Sequence, residues 1–264
     1  MTGFAFCFLK PAQNVIAPDR SKPLSHNDTI RGHIILTAEQ LTVIRGETVV
    51  FSGLSFALAP GQALILRGPN GSGKSSLLKS LAGILPVAIG EIRYQGESLA
   101  GERDWIARNI CYLAHKNGLK PELTVGENLV FWRHVHGDRG LAVKDALAAL
   151  GIAHLEDQPA RYLSSGQARR TALARILCQP GRIWLLDEPT VGLDRSGVER
   201  LAGLMNRHLA EGGMIMAATH MDLGLEPGYV SQLDLESYSR LVPGRQDAPL
   251  SGNIAAGATE RAGA

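Results

Sequence analysis

The stretch Gly68-Pro69-Asn70-Gly71-Ser72-Gly73-Lys74-Ser75 constrains this 264-residue chain more than any other. It follows the apolar run Ala63-Leu64-Ile65-Leu66 and precedes Leu77, Leu78, Leu81 and Ile84, which recur at helical spacing. Strand, glycine-rich turn and helix is the arrangement in which backbone N–H groups wrap a polyphosphate and the helix N-terminus adds a favourable dipole. Lys74 then reaches the β- and γ-phosphates, and the Ser75 hydroxyl joins a Mg²⁺ shell. Pro69, Asn70, Gly71, Ser72 and Ser76 complete the expected contact set with Gly68 and Gly73.

The flanking pattern gives the fold class. Ile183-Trp184-Leu185-Leu186 and Met214-Ile215-Met216-Ala217 are continuous apolar runs, as expected of strands buried on both faces. A helical segment, Val198 to Leu209, lies between them, so the fold is α/β with a parallel sheet and helical crossovers. Upstream, Ile34 to Leu36, Leu41 to Ile44 and Thr48 to Leu58 read as strands. The span from Val125 to Leu150 reads as helical, with Val143, Leu147 and Leu150 on one face and Gly151 as a stop. Asp187 and Glu188 close the run from Ile183, which puts two carboxylates at the C-terminal end of a buried strand, where open α/β sheets bind ligands. Asp187 suits the Mg²⁺ shell, and Glu188 can accept a proton from an attacking water or orient it. Together these features define a Mg-nucleotide hydrolase of the P-loop NTPase class.

Composition narrows the surroundings. The 27 basic and 25 acidic side chains give a net charge of +2, so no nucleic-acid footprint is visible. Cys7, Cys111 and Cys178 form no C-x-x-C pair, and neither a disulfide framework nor a zinc site is expected. No run approaches the roughly 20 apolar residues of a membrane-spanning helix. The run Phe4 to Leu9 is a poor signal peptide, so the chain is expected in the cytoplasm, with any membrane role coming through a partner. Residues 1–33 read as a loose extension and 241–264 as a Gly-, Ala- and Pro-rich tail, leaving 34–240 as one domain.

Leu163-Ser164-Ser165-Gly166-Gln167 opens a basic helix, Ala168 to Leu177, ahead of the strand that ends at Asp187. It resembles the L-S-G-G-Q signature of the ATP-binding cassette (ABC) family. Gly192-Leu193-Asp194 then matches that family's D-loop and His220 its switch histidine. The resemblance implies an ABC-type nucleotide-binding domain with an antiparallel β subdomain, a parallel-sheet core and a helical signature subdomain over about 116–178. It implies ATP and Mg²⁺ as cofactors and a head-to-tail homodimer. Each ATP would lie between one chain's phosphate loop and the partner's signature helix, where Ser164 and the Gly166 amide meet the γ-phosphate. Lys74, Glu188 and His220 would carry hydrolysis. Three positions depart from the pattern: His115 stands where Gln usually contacts Mg²⁺-bound water, Arg45 where an aromatic ring usually stacks on adenine, and Ser165 where Gly is usual.

The stretch Ala114-His115-Lys116-Asn117-Gly118-Leu119-Lys120, with Leu123-Thr124 and Glu127-Asn128-Leu129, is similar to the cytochrome c maturation, or heme exporter, ATPase branch of that family. That resemblance implies an ATPase subunit on the cytoplasmic face of the inner membrane, held there by an integral CcmB-like subunit, and powering heme delivery or release of a heme-carrying chaperone. No nucleic acid and no direct heme ligation are expected: C-x-x-C-H is absent, and His134-x-His136 reads as a surface pair. The alternatives are an ATPase for another exporter cargo, a soluble cassette ATPase acting on ribosomes or DNA, and an ATP-gated clamp with little turnover.

Overall fold

A computed structural model describes residues 36–137, 140–179 and 181–239. The expected extension, its strand start at Ile34-Ile35, Cys7 and the expected tail lie outside the described residues.

The chain opens with two long antiparallel strands, β1 (Leu36–Arg45) and β2 (Thr48–Leu58). The expected gap in β1 is a bulge rather than a break. Gln40 takes φ +50° and its amide donates to Ser55 Oγ (2.9 Å), while pairing resumes at Leu41. β4 (Ile89–Tyr94) and β5 (Glu97–Ser98) complete this four-stranded sheet in the order β2-β1-β4-β5.

The second sheet is parallel. β3 (Ala63–Arg67), β6 (Ile110–Leu113), β7 (Ile183–Asp187), β8 (Met214–Ala218) and β9 (Val230–Asp234) run in the order β6-β7-β8-β3-β9. Its side chains divide by the two-residue period of a strand. Leu64, Leu66, Ile183, Leu185, Met214 and Met216 face the antiparallel sheet and helix α1 (Lys74–Leu81). Ala63, Ile65, Trp184, Leu186, Ile215 and Ala217 face four further helices. Continuous apolar runs were therefore the right signature for strands buried on both sides.

Those helices are α3 (Val125–Val135), α4 (Val143–Ala149), α5 (Ser165–Leu177) and α6 (Arg195–Ala210); α2 (Arg103–Asn109) and α7 (Glu236–Ser239) are short. The single helix expected over 125–150 is two. The chain turns at His136 and Gly137: Gly137 takes φ +80°, and the His136 ring Nδ1 donates to the Ala107 carbonyl (3.0 Å). Ile84, expected on the buried face of the helix after the glycine turn, lies beyond the end of α1 and is 61% exposed. β4 and β9 escaped the sequence pattern because their side chains are largely half-buried or exposed.

Candidate nucleotide site

The loop Gly68–Gly73 links β3 to α1 and faces β2. A Cβ at Gly73 would sit 2.8 Å from Val50 and Phe51 side-chain atoms, and φ there is +104°. Glycine is thus demanded by both space and backbone. The antiparallel sheet presses its β2 strand against the phosphate loop. Arg45 ends β1 in the same hairpin, exposed.

Behind the loop Lys74 is buried, and its ammonium donates to the carbonyls of Gly68 (2.6 Å) and Pro69 (2.9 Å). Ser75 Oγ donates to Asp187 Oδ1 at 3.0 Å, joining positions 112 residues apart. Both are hard oxygen donors, the chemistry that Mg²⁺ takes, so the pair fits that ion. Asp187 ends β7; Glu188 follows with φ +48°, its amide donating to the Ala218 carbonyl of β8 (2.8 Å). His220 lies just past β8, and its Nε2 stands 3.9 Å from Glu188 Oε1. Lys74, Ser75, Asp187, Glu188 and His220 therefore meet at the C-terminal edge of the parallel sheet. His115 is at the same edge, two residues past the end of β6.

Leu163 to Gln167 begins α5 and forms a capping box. Ser164 Oγ accepts from the Gln167 amide (3.2 Å), and the Gln167 side chain accepts from the Ser164 amide (2.9 Å). The Ser164 hydroxyl keeps its own proton to donate. A Cβ at Gly166 would sit 2.6 Å from the Gly192 carbonyl, so the fourth signature residue must be glycine. Ser165 is exposed, which explains why a side chain is tolerated at the third. Arg170 pairs with Asp194, and the Gly197 amide donates to the same carboxylate (2.9 Å). That amide and then Arg170 hold the Asp194 carboxyl below its ordinary range. A cavity of about 410 Å³ opens here, its lining including Ser164 to Gln167, Arg170, Gly192 and Asp194.

Sequence reasoning missed Arg169. It is 3% exposed, and burial pulls its guanidinium down to about 10, with Asp187 and Glu188 opposing that shift. It donates to the carbonyls of Asp187 (2.6 Å), Glu188 (2.6 Å) and Pro189 (3.3 Å) on one side. On the other it reaches the carbonyls of Ala114 (2.9 Å) and His115 (3.5 Å) and Asn117 Oδ1 (3.1 Å). The available signal was position: residues 169, 172, 173 and 176 form one helical stripe, and the other three are apolar and buried.

A strand–glycine loop–helix with hydroxyl, carboxylates and histidine gathered at one sheet edge defines a P-loop nucleotide hydrolase. Residues 51–191 match the ABC transporter family. The chain is 50% identical over 192 residues to the cytochrome c biogenesis ATP-binding export protein CcmA of Chelativorans sp., covering 72% of this chain and 94% of that protein. It is 45% identical over 207 residues to the CcmA of Paramagnetospirillum magneticum, covering 77% and 94% respectively. Among solved structures, cbiO1 from Clostridium perfringens, part of the ABC transporter complex cbiONQ, superposes with a TM-score of 0.59 at 29% identity, over 76% of this chain and 84% of that one. The chain belongs to the ABC transporter ATP-binding family, within the group of CcmA proteins. It is an ATP-hydrolysing ABC ATPase. Among the described residues no helix is long and apolar enough to cross a membrane.

Proposed function

We propose that this chain is the ATPase subunit of a membrane export complex serving cytochrome c biogenesis, in which ATP binding closes two copies head to tail and hydrolysis releases them. The observation that carries the reading is the convergence of Ser75, Asp187, Glu188 and His220 beside the phosphate loop, in a chain 50% identical to a CcmA protein. The loop amides and Lys74 bind the β- and γ-phosphates, and Arg45 stacks on the adenine. Ser75 and Asp187 would hold Mg²⁺, with His115 as a contact through water, and the ion would supply neutralisation of the phosphate charge. Glu188 takes the proton of the attacking water, and His220, 3.9 Å away, holds the γ-phosphate. From the second copy, Ser164 and the Gly166 amide complete the γ-phosphate contacts, and Asp194 lines the interface beside them. The subunit sits peripherally on the cytoplasmic face of the inner membrane against an integral subunit, supplying force and leaving heme to other chains.

The test is Glu188→Gln in the full chain. It keeps nucleotide binding, loses turnover by a hundredfold or more, and runs as a dimer on size exclusion with MgATP. Wild-type turnover in that variant contradicts the assignment.

A further inference from the structure

We propose that Arg169 is a positioning residue that fixes the turn carrying Glu188 and ties it to the loop carrying His115, so that the two loops move as one. The proposal rests on the reading of Glu188 as the hydrolytic carboxylate. Glu188 is a non-glycine residue at φ +48°, a conformation that an L side chain keeps only where its surroundings hold it. The surroundings are explicit. The Glu188 amide is tied to β8, and the carbonyls of Asp187, Glu188 and Pro189 all accept from one guanidinium.

The same guanidinium spends its remaining nitrogen, Nη1, on Ala114, His115 and Asn117. Its planar fork suits this division: Nε and Nη2 face one loop while Nη1 faces the other. A lysine has one donor centre and cannot span both. Arg169 touches neither the phosphate-loop residues nor Lys74 in its hydrogen bonds, so nucleotide binding is separable from the geometry it controls. A displacement of the 114–117 loop is transmitted directly to the backbone on either side of Glu188. Arg169 stands on α5, the helix that begins with the signature, so that helix, both loops and the carboxylate form one mechanical unit.

The test uses the full chain with three substitutions: Arg169→Lys, Arg169→Met and Asn117→Ala. For Arg169→Met we expect kcat to fall thirtyfold or more with KM for ATP within twofold of wild type, and for Arg169→Lys to recover only part of that loss. Hydrogen exchange should accelerate at least tenfold across 114–117 and 187–191 and stay unchanged in α1. A purely structural role would instead lower the melting temperature and move KM with kcat. Should both Arg169 variants fail to fold, Asn117→Ala decides, because it removes only the one side-chain acceptor: kcat falls a few-fold at constant KM and exchange at 187–191 rises. Wild-type kcat and wild-type exchange in Arg169→Lys or Asn117→Ala overturn the proposal. Glu188→Gln, run in parallel, separates the two failures. If it is inactive while the Arg169 variants turn over normally, only the coupling is wrong; if it is active, the reading of Glu188 falls as well.

Discussion

The phosphate loop and the segment from 114 to 178 weight the same devices differently. The loop leans on backbone: glycines at positive φ, a β2 strand pressed against Gly73 and the start of a helix, with Lys74 as the one side chain on its carbonyls. The 114–178 segment has an apolar core of its own, and its loops are tied by backbone bonds, such as the Val125 amide to the Gln158 carbonyl (3.0 Å), and by polar side chains that satisfy further backbone groups. Asn128 shows this best. It is buried, its Oδ1 accepts from the Lys120 amide (2.8 Å), and its Nδ2 donates to the carbonyls of Lys120 (3.1 Å) and Thr124 (2.9 Å). One side chain thus adds three bonds to a loop that backbone pairs such as Ala160 N–H to the Leu123 carbonyl (2.9 Å) also hold. Thr124 and Glu127 cap that helix with the same reciprocal box that Ser164 and Gln167 form on α5. A loop held by glycines fails through its backbone, whereas one held by side chains fails one hydrogen bond at a time.

That difference can be broken from either side. The largest effect is expected from Lys74→Ala, which removes the buried ammonium at the phosphate loop: turnover falls by a hundredfold or more in a steady-state ATPase assay, with the fold intact by circular dichroism. Asn128→Ala removes a buried side chain together with its bonds to the Lys120 amide and carbonyl and costs about 1–3 kcal/mol in chemical denaturation. Thr124→Ala and Ser164→Ala each lose one capping bond and cost about 1 kcal/mol. Only Ser164→Ala should also slow turnover, so a pair of equal stability losses with unequal activity sharpens the contrast.

The remaining effect is a pH dependence at the far end of the parallel sheet. Burial pushes the His208 imidazole down to about 4; the ring stacks on Trp184 with centroids 4.0 Å apart. Below its ordinary value near 6.5 the unfolded chain takes up a proton that the folded chain refuses, so stability is full above that value and declines as pH falls towards 4. Thermal melts at pH 7 and pH 5 should therefore differ more for wild type than for His208→Phe, which keeps the stack and cannot titrate.

The same contrast explains what could be read in the sequence. The parallel core was legible because a strand buried on both faces leaves an uninterrupted apolar run, as in Ile183 to Leu186, and because a glycine loop between strand and helix has few other uses. The resemblance to the cytochrome c maturation branch lay in Ala114 to Lys120 with Leu123, Thr124, Glu127, Asn128 and Leu129; of these Thr124, Glu127 and Asn128 are the cap and the loop clasp, and Leu129 is core. The break at His136 was overlooked rather than hidden: His136-Gly137-Asp138-Arg139-Gly140 interrupts the apolar spacing with two glycines, the same stop signal read at Gly151, and Gly137 takes φ +80° there. Arg169, by contrast, was hidden. A run of arginines reads as a solvated face until the stripe it shares with Ala172, Leu173 and Ile176 is traced. Charge pattern names the residue; only the packing shows which way it points.

The most direct measurement is made in the host cell: delete the gene, restore it as wild type or as Lys74→Ala, and stain membranes for covalent c-type heme. We predict that heme-stained cytochromes disappear on deletion and return with wild type alone. Normal cytochromes in the deletion strain, or full recovery with Lys74→Ala, would contradict an ATP-driven role in cytochrome c biogenesis.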